Sequence, residues 1–260
     1  MTKELTLSLI GGGNMATALA TGLIGKRCAA HDVHVIDPNE SVRAAWQERG
    51  TTVAATPDAQ LAGRRVWIFA VKPQHMKETV LSCRPFIQPE TLVVSIAAGI
   101  TGATIAGWLG TPERPWLRAV RCMPNTPALI GEGITGMMAL SGVSEDDKAL
   151  AQQLLRAVGE VVWVESDQAL DAVTALSGSG PAYVFLFLEA LIQGAKNLGL
   201  SDQQSRQLAL ATLRERVTSK GGTTAAALAV FEQRQFAAIV GQAMLAASDR
   251  AAELAIEYAK

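Results

Sequence analysis

Residues 5–24 read LTLSLIGGGNMATALATGLI, and the architecture of the N-terminal half follows from them. The run 5–10 is short and apolar, as a buried strand requires, and 14–24 is amphipathic at helical spacing. Between them lie Gly11, Gly12 and Gly13, which with Ala16 complete the pattern G-x-G-x-x-[GA]. Gly11 permits a tight turn, Gly13 lets backbone amides approach a pyrophosphate, and Ala16 keeps the helix close to the strand. The helix presents its N-terminus, with unpaired N–H groups, to the anion. A lone glycine triplet is no more than a turn. Set between a strand and a helix, it reads as a dinucleotide-binding turn.

Outward from that turn the alternation continues. Runs 33–37, 66–71, 92–96 and 119–123 read as buried strands, and 40–49 and 74–83 as helices between them. Such alternation predicts an α/β fold with a mostly parallel sheet covered on both faces. Two later strands are expected at 134–140 and 161–164, with a helix at 145–158. Beyond about residue 166 the pattern turns helical, over 170–176, 182–198, 201–219 and 223–258. Nine of the ten prolines lie at or before Pro127 and only Pro181 follows, which fits long uninterrupted helices in the second part. The expected division is therefore 1–164 for a dinucleotide-binding domain and 165–260 for a helical one.

Composition narrows the function classes. Apolar residues make up 49% and charged residues 18% of 260, enough for a real core and unlike a disordered chain. A net charge of −1 argues against a basic nucleic-acid surface, so a small-molecule ligand is expected. Cys28, Cys83 and Cys122 are odd in number and widely spaced. They suggest neither a disulfide framework nor a zinc site, and point to a reducing, cytoplasmic compartment. No segment approaches the roughly 18 uninterrupted apolar residues of a membrane span, and no signal peptide is read at the N-terminus. No His, Cys and carboxylate cluster has metal-ligand spacing.

Several strand ends carry small residues and proline. Asp37 ends the run 33–37, twenty-six positions after Gly11, where an acidic residue commonly bonds the adenosine ribose. Asp37-Pro38-Asn39 is equally turn chemistry. Ala70-Val71-Lys72-Pro73-Gln74, Ser95-Ile96-Ala97-Ala98-Gly99 and Cys122-Met123-Pro124-Asn125-Thr126-Pro127-Ala128 close three further runs. Singly each is a tight turn; along one sheet edge they leave room for a flat ring.

With Ala175–Tyr183 and Ser219–Thr224, these strings resemble the pyrroline-5-carboxylate reductase family. The match spans nearly the whole chain in the family's order. Met123-Pro124-Asn125-Thr126-Pro127-Ala128 and Leu176-Ser177-Gly178-Ser179-Gly180-Pro181-Ala182 are its most specific parts. The resemblance implies a Rossmann-like domain followed by an all-helical dimerisation domain, a homodimer and, in many members, a decamer of five dimers. It implies hydride transfer from NADPH or NADH to the C=N carbon of 1-pyrroline-5-carboxylate, giving proline.

Carried over residue by residue, Gly11, Gly13, Asn14 and Met15 are expected at the pyrophosphate. Val71, Lys72, Pro73 and Ala97 are expected beside the ribose and nicotinamide, and Asn125, Thr126 and Pro127 around the nicotinamide. Lys72 also reads as a snorkelling surface lysine. Ser179 and Gly180 open a helix near the substrate, though a proline-started helix explains them as well. Ser219, Gly221, Gly222, Thr223 and Thr224 resemble the substrate-carboxylate cradle, with Thr224 contacting the imine nitrogen as the catalytic candidate. Lys220 stands where many members have proline, and Phe231-Glu232-Gln233-Arg234-Gln235-Phe236 replaces a glycine-bearing stretch. His31, His34 and His75 read as surface or packing residues. The β-hydroxyacid dehydrogenases share this layout but need a lysine about one turn after the interdomain glycines, and none occurs here until Lys196. A reductase of a related cyclic imine, or a non-catalytic dinucleotide sensor, are the remaining alternatives; the sensor has no need of both second-domain motifs.

Overall fold

The computed structural model describes residues 5–212 and 230–259. Eight strands form one sheet: β1 (Leu7–Ile10), β2 (Val33–Ile36), β3 (Thr52–Ala54), β4 (Val66–Phe69), β5 (Leu92–Ser95), β6 (Ala119–Met123), β7 (Gly133–Ala139) and β8 (Gly159–Trp163). Their order is β3-β2-β1-β4-β5-β6-β7-β8. Every pairing is parallel except β6 with β7. The sheet is therefore mostly parallel, as the alternation of runs predicts.

Both faces of the central strands are buried, which explains why they read as continuous apolar runs and not as alternating ones. Leu7, Leu9, Val66, Ile68, Leu92 and Val94 point to one face. There they meet α1 (Asn14–Leu23), α2 (Glu40–Glu48) and α5 (Glu145–Leu155). Ile10, Trp67, Phe69 and Val93 point to the other, against α3 (Pro73–Cys83) and α4 (Gly102–Leu109). Trp67 and Phe69 are fully buried and meet edge to face, with centroids 6.5 Å apart.

The chain divides into two compact units: residues through Thr174 together with those from Asp249 onward, and Ala175–Ser248. This differs from a boundary at 164/165, and the reason lies in α6 (Asp167–Val173). Its Leu170 is buried, and an added Cβ at Gly136 of β7 would meet Val173 and Leu170. Asp167 also pairs with Arg121 of β6 and accepts the Gly102 N–H. So α6 belongs to the sheet. Ala251 and Ala255 are buried, and Leu254 lies against Gly99, so the last described residues belong to it too.

The second unit contains α7 (Gly180–Asn197), α8 (Asp202–Thr212) and the first half of α9 (Phe236–Ala259). A π-helical segment, Thr174–Gly178, precedes α7. Helical pattern over 223–258 predicts one helix, but the described part is interrupted at Arg234 and Gln235. Gln235 has φ +54° and its N–H donates to Glu232 O, which ends one helix before Phe236 starts the next. Phe187, Phe231 and Phe236 pack around this turn with centroids 5.3–6.1 Å apart. Within the helical run Asp167–Asn197 an 18-residue stretch reaches a mean hydropathy of 1.4, so the run is long and apolar enough, by length and composition alone, to cross a membrane. Val184, Phe185 and Leu186 on it are exposed.

Candidate active site

The strand order reverses between β1 and β4, and ligands of open α/β sheets bind at such a switch point, outside the carboxyl ends of the strands. Here those ends are tied together by backbone bonds. Gly11 N–H donates to Ile36 O at 2.8 Å, Ala70 N–H to Ile10 O at 2.7 Å, Asp37 N–H to Ala54 O at 3.1 Å and Ile96 N–H to Phe69 O at 3.1 Å. The loops after β1, β2, β4 and β5 thus form one continuous rim, and the loop after β6 follows beside them.

On that rim Gly11 has φ +97°, and a Cβ there would lie 2.8 Å from the Ala70 carbonyl. Glycine is required on both counts. Gly13 is the N-cap of α1; it is exposed, and nothing lies within 4 Å of where its Cβ would be. The first turn of α1 carries no acidic residue, and the Gly13 N–H has no partner among the described residues. Asn14 is exposed beside it and Met15 half-buried. This open, uncharged helix start fits a diphosphate.

Asp37 is committed to the backbone. Its Oδ2 accepts the Gly12 N–H at 2.8 Å and its Oδ1 the Asn39 N–H at 2.9 Å. These bonds realise the turn reading of this residue. Arg43 donates to the carbonyls of Asp37 and Pro38 at 2.9 and 2.7 Å and braces the same loop.

Lys72 is the exposed N-cap of α3, with Pro73 at the first helical position and Val71 half-buried before it. Ala97 is buried, one residue before the half-buried Ala98. After β6, Asn125 accepts the Ile134 N–H at 2.9 Å and so closes the loop that carries the exposed Thr126 and half-buried Pro127. All twelve cofactor candidates lie in the first unit, at the loops that end β1, β2, β4, β5 and β6. Ser179 and Gly180 stand at the start of α7 in the second unit. Ser219, Gly221, Gly222, Thr223 and Thr224 lie outside the described residues.

One part of the rim escaped sequence reasoning. A cavity of about 400 Å³ lies between the end of β2 and α3, lined among others by Ile36, Pro38, Thr56, Pro57, Val71 and His75. Only spatial folding joins these residues; nothing in their spacing marks them. His31 is exposed, whereas His34 is buried on β2 with Nδ1 2.9 Å from Thr52 Oγ1. Burial, against the opposing pull of Asp58, lowers its pKa, so it packs as a neutral ring.

A profile for pyrroline-5-carboxylate reductase dimerisation matches residues 167–214 and 209–254. A second, described as NADP oxidoreductase coenzyme F420-dependent, matches residues 6–99. The pyrroline-5-carboxylate reductase of Pseudomonas aeruginosa is 42% identical, over 96% of each chain. The chain belongs to the pyrroline-5-carboxylate reductase family. The family member from Pisum sativum is 34% identical over 98% of this chain and 97% of its own. Among solved structures, the family member from Coxiella burnetii superposes with a TM-score of 0.85 at 33% identity, covering 97% of this chain and 99% of its own. That from Plasmodium falciparum, solved with NADP bound, superposes at 0.81 with 25% identity, covering 98% of this chain and 100% of its own.

Proposed function

We propose that this protein is a homodimeric pyrroline-5-carboxylate reductase, which reduces the C=N bond of 1-pyrroline-5-carboxylate with NADPH or NADH to give proline. Similarity that runs through both compact units carries the reading, together with the intact second-domain motifs Ser177–Pro181 and Ser219–Thr224, which a dinucleotide sensor has no need to keep. The first unit holds the cofactor, and the second supplies the dimer contact and the substrate loop. The exposed Val184, Phe185 and Leu186 lie inside the matched dimerisation stretch, where a second copy covers them. Five such dimers assemble into a decamer, and the protein works in the cytoplasm, in keeping with its free Cys28, Cys83 and Cys122.

Gly11, Gly13, Asn14 and Met15 cradle the diphosphate. The cavity beside Pro38 and His75 takes the adenosine, and Asp37 offers its remaining lone pairs to the ribose. Val71, Lys72, Pro73 and Ala97 flank the nicotinamide ribose, while Asn125, Thr126 and Pro127 border the ring. When bound, the reduced nicotinamide supplies the hydride. The protein's task is orientation and exclusion of water. The protonated imine is already electrophilic, so its nitrogen needs no strong acid from the enzyme. Thr224 contacts that nitrogen, and Ser179, Gly180, Ser219, Gly221, Gly222 and Thr223 hold the carboxylate.

The test is cofactor oxidation with 1-pyrroline-5-carboxylate, run with NADPH and NADH in parallel. Turnover with either is expected. Tight cofactor binding without turnover would overturn the proposal.

A further inference from the structure

We infer that Trp46 is a positioning residue of the cofactor site, whose indole N–H sets the direction in which the Gly13 amide points. This rests on the reading that Gly11–Met15 hold a diphosphate.

Three consecutive glycines make a poor anion cradle unaided. Each has access to both signs of φ, and a peptide unit flanked by two glycines turns over with little steric resistance. The Gly12–Gly13 peptide is such a unit, and its N–H is the one expected to meet the diphosphate. Something must hold it.

The structure supplies a clamp on either side of Gly12. Its N–H donates to Asp37 Oδ2 at 2.8 Å, and its carbonyl accepts the Trp46 Nε1–H at 2.9 Å in a buried contact. Trp46 is 2% exposed, in the last turn of α2. No cis peptide occurs among the described residues. In a planar trans peptide the N–H points opposite to the C=O. Drawing the Gly12 carbonyl inward onto the indole therefore aims the Gly13 N–H the opposite way, away from the indole, at a residue that is itself exposed.

The indole is itself fixed. The Trp46 carbonyl accepts the Thr51 hydroxyl at 2.8 Å, and the Arg49 guanidinium lies 5.1 Å from the ring centroid. A Cβ at Gly12 would come within 2.7 Å of both Trp46 Nε1 and Val42 Cγ1. Glycine at position 12 thus makes room for the clamp, whereas Gly11 and Gly13 serve the turn and the ligand.

The experiment compares Trp46→Phe with wild type by calorimetric titration of ADP-ribose, which carries the diphosphate, and of adenosine 2′-monophosphate, which lacks it. Loss of one oriented donor to a charged group predicts a roughly tenfold weaker ADP-ribose affinity. Adenosine 2′-monophosphate binding should be unchanged, and turnover at saturating NADPH should stay within about twofold while its KM rises in step. Benzothienylalanine at residue 46, which keeps the ring shape and removes the N–H, should behave like Trp46→Phe, and serves if the phenylalanine variant misfolds. Equal losses for both ligands would indicate general loosening and overturn the inference. So would unchanged ADP-ribose binding in a protein whose Gly13→Val variant loses it. If Gly13→Val also binds ADP-ribose normally, the diphosphate reading itself fails.

Discussion

Replacing Asp147 by asparagine should destabilise the first unit by about 3 kcal/mol, in the range for a buried ion pair broken on one side. Asp147 lies in the first turn of α5 and its side chain is 1% exposed. Two arginine side chains, 25% and 26% exposed, converge on it. Arg118 donates from Nε at 2.7 Å and from Nη2 at 3.1 Å, and Arg65 donates to Oδ1. Asparagine has one acceptor oxygen, and its NH₂ group would face a guanidinium. It also gives up a negative charge at a helix N-terminus. With a urea slope of about 2–3 kcal/mol per molar, the midpoint should fall by roughly 1 M. Trp46, Trp67, Trp108, Trp116 and Trp163 all lie in this unit, so tryptophan fluorescence reports its unfolding. Burial alone would raise the Asp147 pKa, but the bonds from Arg118 and Arg65 bring it below the usual carboxylate range. A carboxylate with a depressed folded pKa stabilises above its unfolded pKa of about 3.9, and that stability is lost as pH falls through the folded value. The gap between wild type and Asp147→Asn should thus be full at neutral pH and narrow below about pH 3.5. Equal midpoints at neutral pH, or a gap untouched by acid, would refute the reasoning.

Gln235 occupies left-handed backbone, so Gln235→Gly should stabilise the second unit by roughly 0.5–1 kcal/mol and Gln235→Val should destabilise it by about as much. Thermal melts followed by circular dichroism distinguish the two, and a loss in the glycine variant would count against strain at this turn. Asp171 is the converse of Asp147: burial raises its pKa, opposed by Arg121 and assisted by Asp167. Folding therefore favours its protonated form, and stability falls as pH rises towards the folded pKa. Asp171→Asn should match wild type near pH 3 and gain on it at neutral pH, read from urea midpoints.

Most of the fold was legible because a strand buried on both faces writes itself as a compact apolar run. Val33–Ile36, Leu92–Ser95 and Ala119–Met123 lie within or match the expected spans. What escaped notice was marginal in composition. Thr52–Ala54 is three half-buried residues, too short to form a pattern. Helix α4 reads GATIAGWL, rich in poor helix formers, and it begins through contacts a sequence cannot display. Thr101 caps Thr104 N–H locally, but the Gly102 N–H finds Asp167, sixty-five residues away. The site divides in the same way. Gly11 and Gly13 announce themselves by type and spacing, whereas Trp46 has no such mark; thirty-four residues separate it from the carbonyl it holds.

The return of α9 to the first unit constrains the order of events during synthesis. Gly99 and its neighbours meet Leu254, and Tyr258 packs against the core on the α3 and α4 face. A nascent chain ending at Thr174 holds every strand of the sheet but lacks this cover. Until all of Ala175–Ser248 has been translated, apolar surface beside the loop after β5 stays open to water and to other chains. Expression of the chain only as far as Thr174 would leave that surface permanently uncovered, whereas fusing the segment from Asp249 behind a short linker would restore the cover.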